Sequence, residues 1–84
     1  MYHIQIHIMK KLAAFVKERR RETGMTQEEF AERCGVALTV IRKIEQGKTN
    51  LNMDKVNQVL IMFGNQLAPV SVRLLNDETS GDLL

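Results

Sequence analysis

Residues 26–47, TQEEFAERCGVALTVIRKIEQG, carry the signals that decide how this 84-residue chain folds. Thr26 lies three residues before Glu29, the spacing of a capping box, in which each side chain accepts a hydrogen bond from the other residue's backbone N–H. We therefore expect a helix to begin at Gln27. Gly35 can adopt the positive φ angle that ends a helix tightly. The sequence thus predicts one short helix that stops at a glycine.

A second helical pattern follows this glycine and completes a motif. It covers residues 37–46 and ends at Gly47, with apolar side chains at helical spacing: Val40, Ile41 and Ile44. Two short helices joined by a glycine turn form a helix-turn-helix, whose second helix enters the major groove of DNA. The sequence therefore predicts DNA binding.

Helical patterns also flank this motif on both sides. Residues 10–24 form an amphipathic pattern that ends at Gly24 and places four apolar residues on its inward face: Leu12, Ala13, Phe15 and Val16. Asn52 is a favourable N-cap for a last helix, whose apolar residues repeat until Gly64. We predict a mostly α fold, a four-helix repressor-like helix-turn-helix domain over residues 10–64.

The two ends of the chain suggest strands. Isoleucines alternate with polar residues over residues 2–8, the pattern of a half-buried strand, although residues 1–9 also fit an extension from an upstream start codon. Residues 65–75 are predicted to form a dimerisation strand, with Pro69 favouring an edge position. Because an unpaired edge is a liability, we expect an intersubunit β-sheet. Residues 76–84 are predicted to be an acidic, disordered tail.

Residues 10–63 resemble the Xre family of phage-repressor-type helix-turn-helix proteins. The resemblance is carried by TQEEFAERCGV at residues 26–36, by Ile41 and by IEQGK at residues 44–48, followed by an apolar helix. The short single-domain form with a strand-like segment after the last helix is most similar to HipB-like antitoxins. This resemblance implies a homodimer that binds an inverted-repeat operator in double-stranded DNA, represses its own operon and neutralises a HipA-like kinase toxin.

The start of the second motif helix supplies the candidate base-reading residues, because a helix in the major groove presents its N-terminal side chains to base edges. Arg42 is the strongest candidate, since its guanidinium can donate to both O6 and N7 of guanine. Leu38 offers only an apolar contact, for example with a thymine methyl group. The predicted base-reading residues are Ala37, Leu38, Thr39 and Arg42.

A second set of polar residues is predicted to bind DNA phosphates. Gln27 is the first residue of its helix, and the matching glutamine of the Xre family binds phosphate. The others follow the expected path of the DNA backbone: Lys43, Gln46, Lys48, Thr49 and Asn50. The run Arg19, Arg20 and Arg21 has three readings: a phosphate-binding patch, a contact for a protein partner, or simply the solvated end of the first helix.

Composition sets broad limits on function. The chain is 44% hydrophobic and 26% charged, as expected for a globular domain, and its net charge is +2. Residues 1–75 carry a net charge of +5, whereas residues 76–84 carry −3, so the body is basic, which favours phosphate contact. No apolar run can span a membrane and the N-terminus lacks the pattern of a signal peptide, which predicts a cytoplasmic protein.

Catalysis and metal binding are poorly supported by the sequence. On a strand, His3 and His7 would lie about 13 Å apart, too far for one metal ion without further ligands. Cys34 is expected to be a buried side chain, and the glutamates of the first motif helix to be capping or solvated residues. We therefore expect no catalytic residues, metal or cofactor. The alternatives to an antitoxin are a stand-alone phage or restriction-modification-type repressor and a protein-interaction module, which the apolar Leu38 mildly favours.

Overall fold

A computed structural model describes residues 2–71 and 73, with side chains described from residue 11 onward. Within these residues, four α-helices follow one another, and a short 3₁₀ helix comes after them. They are α1 (Tyr2–Glu22), α2 (Gln27–Cys34), α3 (Leu38–Glu45), α4 (Met53–Leu60) and the 3₁₀ helix Ile61–Phe63. The predicted four-helix fold is confirmed, and α2 begins at the predicted residue.

Helix α1 begins eight residues earlier than predicted, at Tyr2. The predicted strand over residues 2–8 is therefore wrong. The sequence contains no glycine or proline before Gly24 that would stop the helix, and extending an existing helix adds a hydrogen bond per residue without a new nucleation cost. Isoleucine in a helix costs less than about 0.7 kcal/mol, too little to reverse this. His3 and His7 thus lie one helical turn apart, about 6 Å along the axis.

The segment after the 3₁₀ helix has irregular backbone. Residues 65–71 contain no strand, so the predicted dimerisation strand over residues 65–75 is not confirmed within the described part of the chain. Its residues 72, 74 and 75, and the predicted acidic tail over residues 76–84, lie outside the described residues. Leu67 donates its backbone N–H to Oδ1 of Asn57 at 2.7 Å, which ties this segment to α4. A strand needs a ladder partner, and an intersubunit sheet needs a second copy of the chain.

Both ends of α2 have the predicted geometry. Thr26 Oγ1 accepts from the Glu29 N–H at 3.1 Å, and Glu29 Oε1 accepts from the Thr26 N–H at 2.9 Å, which completes the capping box. The hydrogen bond that the Thr26 backbone N–H donates to the Glu29 carboxylate, followed by the Thr26 side chain, lowers the pKa of Glu29. At the other end Gly35 has a φ of +74°, and the Val36 N–H donates to the Ala31 carbonyl at 3.0 Å. This bond satisfies one of the carbonyls left free at the helix end.

Helix α4 holds the turn between α2 and α3 through one side chain. Gln58 Nε2 donates to the carbonyl oxygens of Cys34 and Gly35, both at 3.0 Å. A Cβ atom on Gly35 would lie 3.2 Å from this nitrogen, closer than an ordinary contact. The turn is therefore fixed both by its backbone conformation and by a polar contact from outside the motif.

The hydrophobic core lies where the four helices meet. Its buried members are Val16, Phe30, Ala31, Cys34, Val36, Ile41, Ile44, Val56, Val59 and Leu60. The ring of Phe63 stacks on Phe30 with centroids 5.5 Å apart and meets Phe15 edge-on at 6.1 Å, which joins the 3₁₀ helix to α1 and α2. Cys34 is buried as predicted, and burial raises the pKa of its thiol. These contacts fix the positions of α2 and α3 relative to each other.

Candidate nucleic-acid interface

Helix α3 has one fully buried face and one exposed polar face. Ile41 and Ile44 have an exposed fraction of 0%, because they pack into the core. At about 100° per residue, the opposite face is formed by four exposed residues, all of them predicted DNA contacts: Thr39, Arg42, Lys43 and Gln46. The core thus turns a continuous polar surface outward, as expected of a helix that enters a groove.

The first turn of α3 differs from this outer face. Ala37 is the N-cap residue, is exposed and provides no side-chain cap, so no side chain caps the N–H groups of this first turn. Leu38 is partly buried and packs against the core. Only part of Leu38 can therefore contact a base. Its packing also gives this apolar residue a structural explanation, so it no longer favours an interaction module.

Arg42 extends across the motif to the beginning of α2. Its Nη2 lies 3.5 Å from Oε1 of Glu28, and both side chains are about half exposed. An exposed ion pair of this length contributes at most about 1 kcal/mol, so the guanidinium can exchange this partner for a base edge. Arg42 therefore lies on the surface where α2 and α3 meet, within reach of a groove.

The predicted phosphate contacts continue from α3 into the loop that follows. Gly47 has a φ of +74°, and the Lys48 N–H donates to the Lys43 carbonyl at 3.1 Å, which closes α3. Lys48, Thr49 and Asn50 are all exposed in this loop. The loop thus continues the polar surface of α3 toward α4.

A shallow cleft of about 160 Å³ separates α3 from the beginning of α4. Thr39, Lys43 and Asn50 line it, together with Lys55 from the first turn of α4. Lys55 was not among the DNA contacts predicted from the sequence. Its position three residues after the Asn52 N-cap was the available signal, because basic side chains near a helix N-terminus complement an anion bound there. The cleft brings two lysines together at the edge of the polar surface.

Behind this surface lies a part-buried ion pair between α1 and α3. Arg20 donates from Nε to Oε2 of Glu45 at 2.7 Å and from Nη2 to Oε1 at 3.0 Å. The Arg20 side chain is only 13% exposed and that of Glu45 only 3%. Arg20 Nη1 also donates to the carbonyl of Met25 at 2.8 Å, just before α2. One guanidinium therefore links α1, the start of α2 and the end of α3.

Each partner shifts the pKa of the other. The Glu45 hydrogen bond raises the pKa of Arg20, more than burial lowers it. Burial alone would raise the pKa of Glu45, but the hydrogen bonds from Arg20 and Gln27, together with the nearby positive charges of Arg20 and Lys17, bring it below its usual range. The pair is therefore fully charged at neutral pH.

Gln27 belongs to the same network. Its Nε2 donates to Oε1 of Glu45 at 3.1 Å, and the residue is half-buried. The sequence predicted that Gln27 binds phosphate, and it left three readings open for Arg20 as one of the three arginines near the end of α1. Arg20 follows the buried Val16 by four residues, a spacing that places both on the same side of α1. That spacing was the signal for a part-buried arginine.

The structure thus contains two helices of eight residues, joined at a glycine with a positive φ angle. The second helix has an exposed polar face. The family model described as Helix-turn-helix matches residues 16–68. The chain belongs to the Xre-type helix-turn-helix family. The match spans the last third of α1, all of α2–α4 and part of the segment that follows. As a member of this family, the chain is a DNA-binding protein.

A curated relative of this Xre-type protein comes from Methanothermobacter thermautotrophicus. It is an uncharacterized HTH-type transcriptional regulator, 31% identical over 55 residues, which are 66% of this chain and 80% of the relative. No solved structure matches the chain significantly. Among the described residues, no helix is both long and apolar enough to cross a bilayer. The described residues also contain no cluster of three His, Cys, Asp or Glu residues able to hold a metal ion.

Proposed function

We propose that this protein is a sequence-specific transcriptional repressor that binds an inverted-repeat operator as a homodimer. The observation that carries this proposal is the division of α3, whose buried isoleucines turn four polar side chains outward. A basic cleft beside these side chains supports the proposal further. The relative from Methanothermobacter thermautotrophicus is also named as a transcriptional regulator.

In this proposal the polar surface has two kinds of contact. Ala37, Leu38, Thr39 and Arg42 meet base edges, with Arg42 exchanging Glu28 for a guanine. Phosphates are bound by Gln27, Lys43, Gln46, Lys48, Thr49 and Asn50, with Lys55 added from the cleft. Base contacts set sequence preference, whereas phosphate contacts by lysine set affinity and its dependence on salt.

The homodimer is supported by an apolar surface away from α3. Leu12 and Phe15 of α1 and Leu67 and Val70 of the last segment line a groove of about 610 Å³. Val70, which lines this groove, is 49% exposed. An eight-residue recognition helix contacts only a few base pairs, so a second copy related by a two-fold axis, with its helix about 34 Å away, would supply the other half-site. We propose that this groove and its rim contact that second copy.

The dimer can be tested by sedimentation equilibrium. Val70→Glu is expected to shift the wild-type dimer to a monomer, because it places a charge in the apolar groove. Met53→Glu is the matched control, since Met53 is also an exposed apolar residue but does not line the groove. A monomeric wild type, or a dimer insensitive to Val70→Glu, would contradict this interface.

DNA binding is tested by selecting duplexes from a random library with the purified protein. We expect an inverted repeat to be enriched. Arg42→Ala is expected to relax preference at one position in each half-site, and Lys48→Ala to weaken all duplexes alike and reduce the salt slope by about 1. Enrichment of no sequence would overturn the repressor proposal and leave the interaction module.

We further propose an antitoxin role, in which the repressor neutralises a HipA-like kinase toxin in the cytoplasm. Its support is the resemblance of the sequence to HipB-like antitoxins, which rests on the short single-domain form and on the strand-like sequence after the last helix. Expression with the native flanking genes, followed by a pull-down and mass identification, tests this role. A stoichiometric kinase-like partner is expected, and recovery of the homodimer alone would favour a stand-alone repressor.

A further inference from the structure

We propose that Glu45 is a positioning residue, which holds the side-chain amide of Gln27 in place to donate to a DNA phosphate. The inference rests on the proposed DNA-binding function and goes beyond it, because Glu45 is 3% exposed and contacts no DNA itself. The ion pair between Arg20 and Glu45, behind the polar surface, would thus have a role in DNA binding.

The geometry of the network carries this inference. Gln27 is the first residue of α2, where a glutamine side chain ordinarily extends into solvent. Here its Nε2 instead donates to Oε1 of Glu45 at 3.1 Å, across the interface between α2 and α3. Glu45 is held by two further hydrogen bonds from Arg20, so the acceptor itself is fixed. A fixed carboxylate thus determines where the Gln27 amide lies.

The Gln27 amide keeps a second N–H after this bond is made. An amide nitrogen has two donors, and Glu45 uses one of them. The remaining donor is available for a phosphate oxygen at the N-terminus of α2, where the helix dipole also favours an anion. Glu45 therefore orients the donor that Gln27 offers to DNA.

Pre-positioning should strengthen binding measurably. A free glutamine must be immobilised when it binds phosphate, and this ordering weakens binding about threefold to tenfold for one flexible side chain. Gln27 is already ordered by Glu45 in the free protein, so DNA binding avoids this loss. The effect applies to every sequence alike, since phosphates carry no sequence information.

A double-mutant cycle separates positioning from stability. Removing one partner alone would leave a buried charge, so the pair is replaced together by Arg20→Met with Glu45→Leu, a type of exchange that folded proteins often tolerate. Gln27→Ala is then made in both the wild-type and the replaced background. Affinity is measured by fluorescence anisotropy, using a duplex selected by the wild-type protein and a random-sequence duplex. Gln46→Ala, which changes the exposed glutamine at the C-cap of α3, is the matched control.

We expect Gln27→Ala to weaken both duplexes about threefold to tenfold in the wild type and less than about twofold in the replaced background. Gln46→Ala should have the same effect in both. Equal effects of Gln27→Ala in the two backgrounds would overturn the inference. A wild type that selects no duplex would instead overturn the proposed function, so the two failures are distinguishable.

A second measurement needs no variant and applies even if the replaced pair does not fold. Side-chain amide ¹⁵N relaxation in the free wild-type protein is expected to show Gln27 ordered nearly as well as the helix backbone. Gln46 should show the lower order of a mobile surface side chain. Equal mobility of the two amides would overturn the positioning role.

Discussion

Replacing Gly35 by alanine tests whether α4 holds the turn of the helix-turn-helix. Among the residues that the structure describes, four glycines have positive φ angles between +72° and +74°, but they differ in their surroundings. A Cβ atom on Gly24 or Gly47 would meet nothing within 4 Å, whereas on Gly35 it would lie 3.2 Å from Gln58 Nε2. An alanine would therefore have the same backbone strain at positions 24, 35 and 47, and only at position 35 would its Cβ atom also make a close contact.

The magnitudes follow from these two contributions. A left-handed conformation costs an alanine about 1–2 kcal/mol, so Gly24→Ala and Gly47→Ala should each lower the free energy of unfolding by this amount. Displacing Gln58 by a few tenths of an ångström also weakens its two hydrogen bonds to Cys34 and Gly35, each of which contributes about 1 kcal/mol. Gly35→Ala should therefore lower the free energy of unfolding by more than Gly47→Ala does, up to about 3–4 kcal/mol if both hydrogen bonds are lost.

Equilibrium unfolding in urea, followed by circular dichroism, measures these differences. Gln58→Ala provides the matched background, because it removes the hydrogen bonds beforehand. In that background, Gly35→Ala should cost only the 1–2 kcal/mol of backbone strain. The reasoning is refuted if Gly35→Ala costs the same as Gly47→Ala in the wild type, or if Gln58→Ala leaves the cost of Gly35→Ala unchanged.

Three further outcomes are expected. Because the folded-state pKa of Glu45 is lowered, this residue should stabilise the protein above about pH 4.5 and lose its contribution as the pH falls through the lowered pKa. The free energy of unfolding, measured in urea from about pH 6 to pH 3, should therefore fall more steeply for the wild type than for the double variant Arg20→Met with Glu45→Leu. Thr26→Ala should lower the free energy of unfolding by about 1 kcal/mol and Thr26→Ser by much less, and equal losses would argue against the cap. Lys55→Ala should weaken all duplexes and reduce the salt slope by about 1 in a salt titration of affinity, and an unchanged slope would remove it from the interface.

Signals between residues close in sequence predicted the helix-turn-helix well. The capping box at Thr26 and the stops at Gly35 and Gly47 act within a single helical turn, so their effect is visible in the sequence itself. The alternation over residues 2–8 misled because isoleucines every second residue favour a strand only if a partner strand exists. Without that partner strand, residues 2–8 become helical because they continue α1.

Contacts between distant residues could not be predicted in this way. Arg20 and Glu45 are 25 residues apart in the sequence, and the hydrogen bond from Gln58 to Cys34 spans 24. Nothing in either local pattern specifies the partner, because partners depend on how the helices pack. The resemblance to the Xre family assigned Gln27 to phosphate, but only the structure shows which carboxylate holds it.

The buried thiol of Cys34 can serve as a natural probe for opening of the helix-turn-helix. Cys34 lies at the end of α2 with a thiol whose pKa is raised by burial, so a thiol reagent can react only when the motif opens. The rate of its modification in native buffer therefore measures how often the helix-turn-helix separates from α4. Comparing that rate with and without DNA would show whether binding closes the motif, without any introduced label.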